Sequence, residues 1–109
     1  MKVRQRIIDV HAHVIPGVDD GSRTMEESVE MLKRAADQGI VGVIATPHYS
    51  RRHVLKGLND SAKLLQQEIR KTYPKFRIFP GQETFYHDEL AQRLNEGKAY
   101  TMADSQYVL

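Results

Sequence analysis

The chain opens with an alternation. Across Ile7 to Val14, Ile8 and Val10 fall on one side while Asp9, His11 and His13 fall on the other, which is the two-residue period of a strand. The pattern predicts a strand ending in two histidines and closed by Ile15-Pro16-Gly17. A polar loop through Asp19, Asp20, Gly21 and Ser22 then leads to Thr24, which with Glu27 forms a capping box ahead of a helical pattern. That helix starts near Met25. Its apolar positions Met25, Val29, Leu32 and Ala36 recur at helical spacing, and Gly39 stands where a left-handed C-terminal cap is expected. Ile40 to Ala45 is a nearly continuous β-branched run, the composition of a strand buried on both faces, and it stops at Thr46-Pro47-His48.

From Leu58 the positions Leu58, Ala62, Leu65, Ile69 and Tyr73 again follow helical spacing, with Asn59, Asp60 or Ser61 as N-cap and Pro74 as the stop. Phe76 to Phe79 reads as a third strand ending in Pro80-Gly81-Gln82-Glu83. A short amphipathic helix with Leu90 and Leu94 follows, closed by Gly97. Tyr107-Val108-Leu109 reads as a fourth strand just begun, so the expectation is a chain cut inside that strand. Strands alternating with helices point to an α/β fold in which a parallel sheet is joined by helical crossovers, as in part of a barrel.

Composition narrows the chemistry. The 109 residues fit one domain with one modest core. Lys and Arg number 16 against 14 Asp and Glu, scattered without a basic tract, so nucleic acid is not implied. There is no cysteine, which leaves nitrogen and oxygen as the only metal donors. The stretch before and after Arg6 is too short and too polar for a signal peptide, and no segment reaches transmembrane length. A cytoplasmic protein without membrane insertion is expected.

The ligand-type residues have a common position. His11 and His13 end the first strand, Asp20 lies in the loop after it, His48 follows the second strand and Glu83 the third. In a parallel barrel the C-terminal ends of the strands meet on one face, where active sites are built. Imidazole and carboxylate together suit zinc, manganese or iron, and this donor set is large enough for two or three ions. Each piece also has a plainer reading. His11 and His13 can be solvated rings on a polar strand face, Asp19 and Asp20 turn residues ahead of Gly21, His48 a loop histidine, and Glu83 an acid favoured by a following helix. Asp9, on the face of the histidine pair, is a candidate for orienting an imidazole. Arg51 and Arg52 follow His48 closely enough to reach a substrate phosphate, or else are solvated surface groups. His53 and His87 read as solvated. No Gly-rich phosphate loop and no serine nucleophile motif occurs, so no catalytic side chain is assigned beyond water activated by the metals.

At these residues the chain resembles the polymerase-and-histidinol-phosphatase (PHP) type protein tyrosine phosphatases of bacterial capsule and exopolysaccharide operons. The resemblance is carried by Ile8-Asp9-Val10-His11-Ala12-His13, Val18-Asp19-Asp20-Gly21, Gln38-Gly39-Ile40, Ala45-Thr46-Pro47-His48, Pro80-Gly81-Gln82-Glu83 and Asp104-Ser105-Gln106-Tyr107-Val108-Leu109, so it covers the whole chain. It implies that residues 1–109 are the N-terminal portion of a (β/α)7 TIM-like barrel. It implies a site of two to three divalent ions, manganese first and iron or zinc next, with His11, His13, Asp20, His48 and Glu83 as ligands and Glu83 as the bridging carboxylate. The implied substrate is phosphotyrosine on a tyrosine kinase that controls polysaccharide synthesis. In the family a further glutamate ligand follows two residues beyond Leu109, and later segments supply another His, an Asp-x-His pair and phosphate-binding Arg residues. The resemblance therefore implies little or no phosphatase activity for these 109 residues alone, and an open sheet edge through which copies can associate. Histidinol phosphatase and amidohydrolase chemistry are the rival readings, and a non-catalytic interaction fragment is a third.

Overall fold

A computed structural model of the chain describes residues 6–48, 55–84, 88–99, 101–107 and 109. Strand β1 (Ile7–Ala12) is followed by helix α1 (Met25–Asp37), strand β2 (Ile40–Ala45), helix α2 (Leu55–Arg70), strand β3 (Arg77–Pro80) and helix α3 (Leu90–Asn95). The sheet is parallel throughout, in the order β1-β2-β3. Each strand returns to its neighbour through a helix, as the alternation of periodicities predicts.

Local chemistry sets the boundaries. Thr24 caps α1, its hydroxyl accepting from the Glu27 N–H at 3.1 Å, and Gly39 ends the turn after α1 at φ 101°, a conformation that costs glycine little. Gly97 does the same after α3 at φ 70°. The start of α2 differs from the sequence reading. The helix begins at Leu55, so Asn59, Asp60 and Ser61 lie inside it and none is its N-cap. Short polar residues favour caps only where the backbone has no better partner, and here Leu58, Ala62, Leu65 and Ile69 hold the segment helical by burying one face.

The core lies between the helices and one face of the sheet. Leu32 of α1, Leu58, Leu65 and Ile69 of α2, Val43 and Ala45 of β2, and Phe76, Val14 and Ile15 from the connections form one buried cluster. Only β2 has a neighbour on both sides among the described residues, and β1 lies largely open to solvent. Ile7, Ile8 and Val10 are exposed, Val10 to 54%. Of the fourth strand expected at Tyr107-Val108-Leu109, Val108 lies outside the described residues. Met102–Asp104 forms a 3-10 turn, and Tyr107 and Leu109 lie outside any strand, although the Leu109 carbonyl accepts from both the N–H and the hydroxyl of Thr84, at 3.3 and 2.8 Å.

Register explains where the ligand-type residues go. Ala12 pairs with Ala45, and Ala45 with Pro80, so all three strands finish level and the residues just beyond them emerge at one end of the sheet. Thr46, fully buried, seals that end. Its N–H donates to the Ala12 carbonyl at 2.8 Å, and its hydroxyl accepts from the Ala12 N–H at 3.0 Å. A parallel bridge between His48 and Glu83, with the Glu83 N–H donating to the Pro47 carbonyl at 3.0 Å, carries the pairing past the strands themselves.

Candidate metal centre

Between Asp9, paired with Val43, and Ala12, paired with Ala45, β1 holds one residue more than β2 opposite it. This is a β-bulge, a feature that re-aims side chains near functional sites. It also accounts for Asp9. Its carboxylate accepts from the His11 backbone N–H at 3.0 Å, so Asp9 serves the bulge and does not orient an imidazole as the alternation suggested. His11 and His13 nevertheless converge, their Nε2 atoms 3.2 Å apart.

Glu83 Oε2 is the meeting point. It lies 3.1 Å from His13 Nε2, 3.1 Å from His48 Nδ1 and 3.4 Å from His11 Nε2. These are ion-pair distances, yet the directions of approach satisfy no hydrogen bond, and Oε2 is a buried oxygen without a donor. Direction decides here, because hydrogen bonds weaken steeply off axis. Three ring nitrogens crowding an anionic oxygen that accepts no proton from any of them is costly in a protein alone. It is the expected state of a ligand set whose lone pairs face a shared cation. The donors are imidazole nitrogen and carboxylate oxygen only, which fits zinc, manganese or iron.

The arrangement continues on the other side of His48, whose Nε2 stands 3.3 Å from Oδ1 of the largely exposed Asp20. Two overlapping groups result, His11, His13 and Glu83 in one and His13, Asp19, Asp20 and His48 in the other, with the available ligand atoms of each within 4.8 Å of one another. Because His13 belongs to both, they form one continuous ligand surface and not two separate pockets. All of His11, His13, Asp20, His48 and Glu83 are therefore brought together. Arg51 lies outside the described residues, as do Arg52, His53 and His87.

Asp19 has a larger part than a turn residue. Its side chain is only 4% exposed. Its Oδ2 meets His13 Nδ1 at 3.0 Å and the His48 N–H at 3.0 Å, and its Oδ1 accepts from the Gly21 N–H at 2.9 Å. Burial pushes the Asp19 carboxyl up, but the bonds from His13, Gly21 and His48 outweigh it and hold the group below its ordinary value. The doubled aspartate before Gly21 does not by itself tell which acid faces the interior, so spacing along the chain leaves this role unassigned. Gly21 is required for the same packing. A Cβ there would stand 2.3 Å from the His13 carbonyl oxygen and 2.7 Å from its Cβ.

A family model described as "Capsular polysaccharide synthesis, CpsB/CapC" matches residues 7–109. The chain is 31% identical over 106 residues to the tyrosine-protein phosphatase YwqE of Bacillus subtilis (strain 168), a match covering 94% of this chain and 42% of YwqE. It is 30% identical over 111 residues to the tyrosine-protein phosphatase CpsB of Streptococcus pneumoniae, covering 94% of this chain and 44% of that protein. A solved structure described as "Crystal structures of YwqE from Bacillus subtilis and CpsB from Streptococcus pneumoniae, unique metal-dependent tyrosine phosphatases" superposes with a TM-score of 0.87 at 31% identity, covering 94% of this chain and 43% of that one. The chain thus spans somewhat under half the length of the curated relatives it matches. With residues 7–109 matched by the family model, it belongs to the CpsB/CapC family of capsular polysaccharide synthesis.

Proposed function

We propose that this chain supplies the metal-holding face of a divalent-cation-dependent phosphomonoesterase, a protein tyrosine phosphatase whose substrate is phosphotyrosine on a bacterial tyrosine kinase controlling capsule or exopolysaccharide synthesis. The observation that carries the reading is the convergence of His11, His13 and His48 on the donorless Glu83 Oε2. The names of the relatives, metal-dependent tyrosine phosphatases among them, support this substrate class. The parallel β1-β2-β3 sheet with its helical crossovers is, in this reading, a portion of a (β/α)7 barrel, and the level strand ends are the barrel's active-site face. In this reading the protein works in the cytoplasm, where a tyrosine kinase's phosphorylated residues would be met. No helix among the described residues is long and apolar enough to cross a membrane.

In this reading His11, His13, Asp20, His48 and Glu83 hold two to three divalent ions, manganese first and iron or zinc next. Such ions lower the pKa of water and stabilise charge on phosphoryl oxygens. The residues of this chain do the positioning. Glu83, central among the imidazoles, would be the carboxylate best placed to serve more than one ion, and exposed Asp20 would complete the donor set beside His48. Main-chain pairing of His48 with Glu83 and the Thr46 seal keep the ligands of β1, β2 and β3 at fixed separation, so little ordering entropy remains for binding. Arg51 is assigned to the substrate phosphate on its place in the sequence. Taken alone, the 109 residues are expected to bind cations with little or no turnover, and the exposed edge of β1 is where copies can associate.

Calorimetric titration of the protein with Mn2+ tests the site, and phosphate release from a phosphotyrosyl peptide by the whole gene product tests the reaction. Stoichiometric binding that weakens at least tenfold in Glu83→Gln, and hydrolysis abolished by a chelator, are expected. Hydrolysis indifferent to chelator, or a preference for amide, lactone or histidinol phosphate substrates, would refute the proposal.

A further inference from the structure

Asp20 and Asp19 are consecutive acids with opposite surroundings. The Asp20 side chain is 84% exposed and reaches His48 Nε2, whereas Asp19 is 4% exposed and its oxygens are already engaged. Two of its three partners are backbone N–H groups, those of Gly21 on Oδ1 and His48 on Oδ2. Backbone N–H groups can only donate, so each oxygen must accept. About three of the roughly four lone-pair directions of the carboxylate are used in this way, which leaves Asp19 poorly placed to be a cation ligand itself despite its proximity to Asp20 and His48.

The third partner is His13 Nδ1 at 3.0 Å. A carboxylate that accepts from two main-chain donors offers no proton to this nitrogen, so the contact is a hydrogen bond only if Nδ1 carries the proton. The neutral ring then has its single lone pair on Nε2, the atom that faces Glu83 Oε2 at 3.1 Å and His11 Nε2 at 3.2 Å. One side chain thereby controls two ligand-bearing segments: the ring of His13 at the end of β1, and the main chain of His48 after β2. Gly21 closes the arrangement by letting the loop that carries Asp20 lie against the His13 main chain.

We infer that Asp19 is a positioning residue that holds His13 in its Nδ1–H form and ties His48 to the loop of Asp20, so that both imidazoles are set for a divalent cation before one arrives. The inference rests on the metal-centre reading above for its purpose, but the ring signature that tests it does not.

The test is the ring 15N signature of His13 in the metal-free protein, at a pH well above the imidazole range, in the wild type, Asp19→Ala and Asp20→Ala. The wild type and Asp20→Ala are expected to show protonated Nδ1 and unprotonated Nε2. Asp19→Ala is expected to lose that preference, and to bind Mn2+ about 10- to 100-fold more weakly, the usual effect of removing a carboxylate behind a ligating histidine. A wild-type His13 with its proton on Nε2 overturns the inference without any variant, as does an Asp19→Ala protein that keeps the Nδ1–H form or binds Mn2+ as tightly as the wild type. Failure of the wild type to bind Mn2+ would instead overturn the metal-centre reading, and the ring signature would still decide whether Asp19 fixes the tautomer.

Discussion

A single methyl group, added at two glycines, separates the packing of the site from the general behaviour of the chain. At Gly21 a new Cβ meets the His13 carbonyl oxygen at 2.3 Å and the His13 Cβ at 2.7 Å. An ordinary contact begins near 3.4 Å, so the loop and the end of β1 must part by about 1 Å. Neither neighbour is the free end of a flexible side chain. Overpacking of this kind costs ~1–3 kcal/mol, and losing the Asp19–Gly21 hydrogen bond as the loop retreats adds ~1 kcal/mol. At ~4–8 °C per kcal/mol for a domain near this size, Gly21→Ala should lower the thermal midpoint by ~10–30 °C. At Gly57, in the first turn of α2, a Cβ meets nothing within 4 Å. There the methyl group only restricts the unfolded chain and favours the helix, by ~0.5–1 kcal/mol, which raises the midpoint by ~2–8 °C. Circular dichroism melts in chelator read both effects without cation linkage, and melts in Mn2+ show whether the Gly21 variant also loses the stabilisation that a bound ion confers. A Gly21→Ala midpoint within a degree or two of the wild type would refute the claim that the loop is packed against His13.

Three further outcomes follow from the fold. Leu65 is fully buried between α2 and the sheet, and Leu65→Ala should cost ~2–5 kcal/mol in denaturant titration; a loss below 1 kcal/mol would mean that the helix is not docked as described. Thr46→Val keeps the shape but removes the hydroxyl that accepts from the Ala12 N–H, so it should cost ~1–3 kcal/mol and weaken Mn2+ binding measured by calorimetry, whereas unchanged affinity would disconnect this seal from the site. Tyr73 donates to Asp37, and that bond, with some burial and the carboxylate charge, raises its pKa above the ordinary value near 10. A raised folded pKa contributes stability that is fully present below pH ~10 and is lost as pH climbs through the folded value. The wild-type advantage over Tyr73→Phe in thermal midpoint should therefore shrink in that alkaline window, and an advantage constant across it would contradict the pairing.

Much of this was legible in the residues because local rules and the global fold agree. The β-branched run Ile40–Ala45 is β2 to the residue, and Thr24 with Glu27 fixed the start of α1. Strand ends levelled by register then gathered His11, His13, His48 and Glu83 from distant positions. The failures have physical causes. Period-2 reasoning placed Asp9 beside the histidines, but the bulge in β1 breaks the period and turns its carboxylate to the backbone. Cap-forming residues drew the start of α2 too late, since burial of Leu58 and Ala62 overrides their local preference. Asp19 was hidden because its partners, the His13 ring and the His48 main chain, are a tertiary arrangement with no sequence spacing of its own.

Everything proposed for this chain depends on side chains from the ends of three parallel strands sharing one cation site. Crystals grown with Mn2+ and measured at an anomalous wavelength test it most directly. Density is expected ~2.0–2.3 Å from imidazole nitrogens of His11 and His13 and from a Glu83 oxygen, and again beside Asp20 and His48. Anomalous density confined to other surface acids, with His11, His13 and His48 turned away from Glu83, would contradict it.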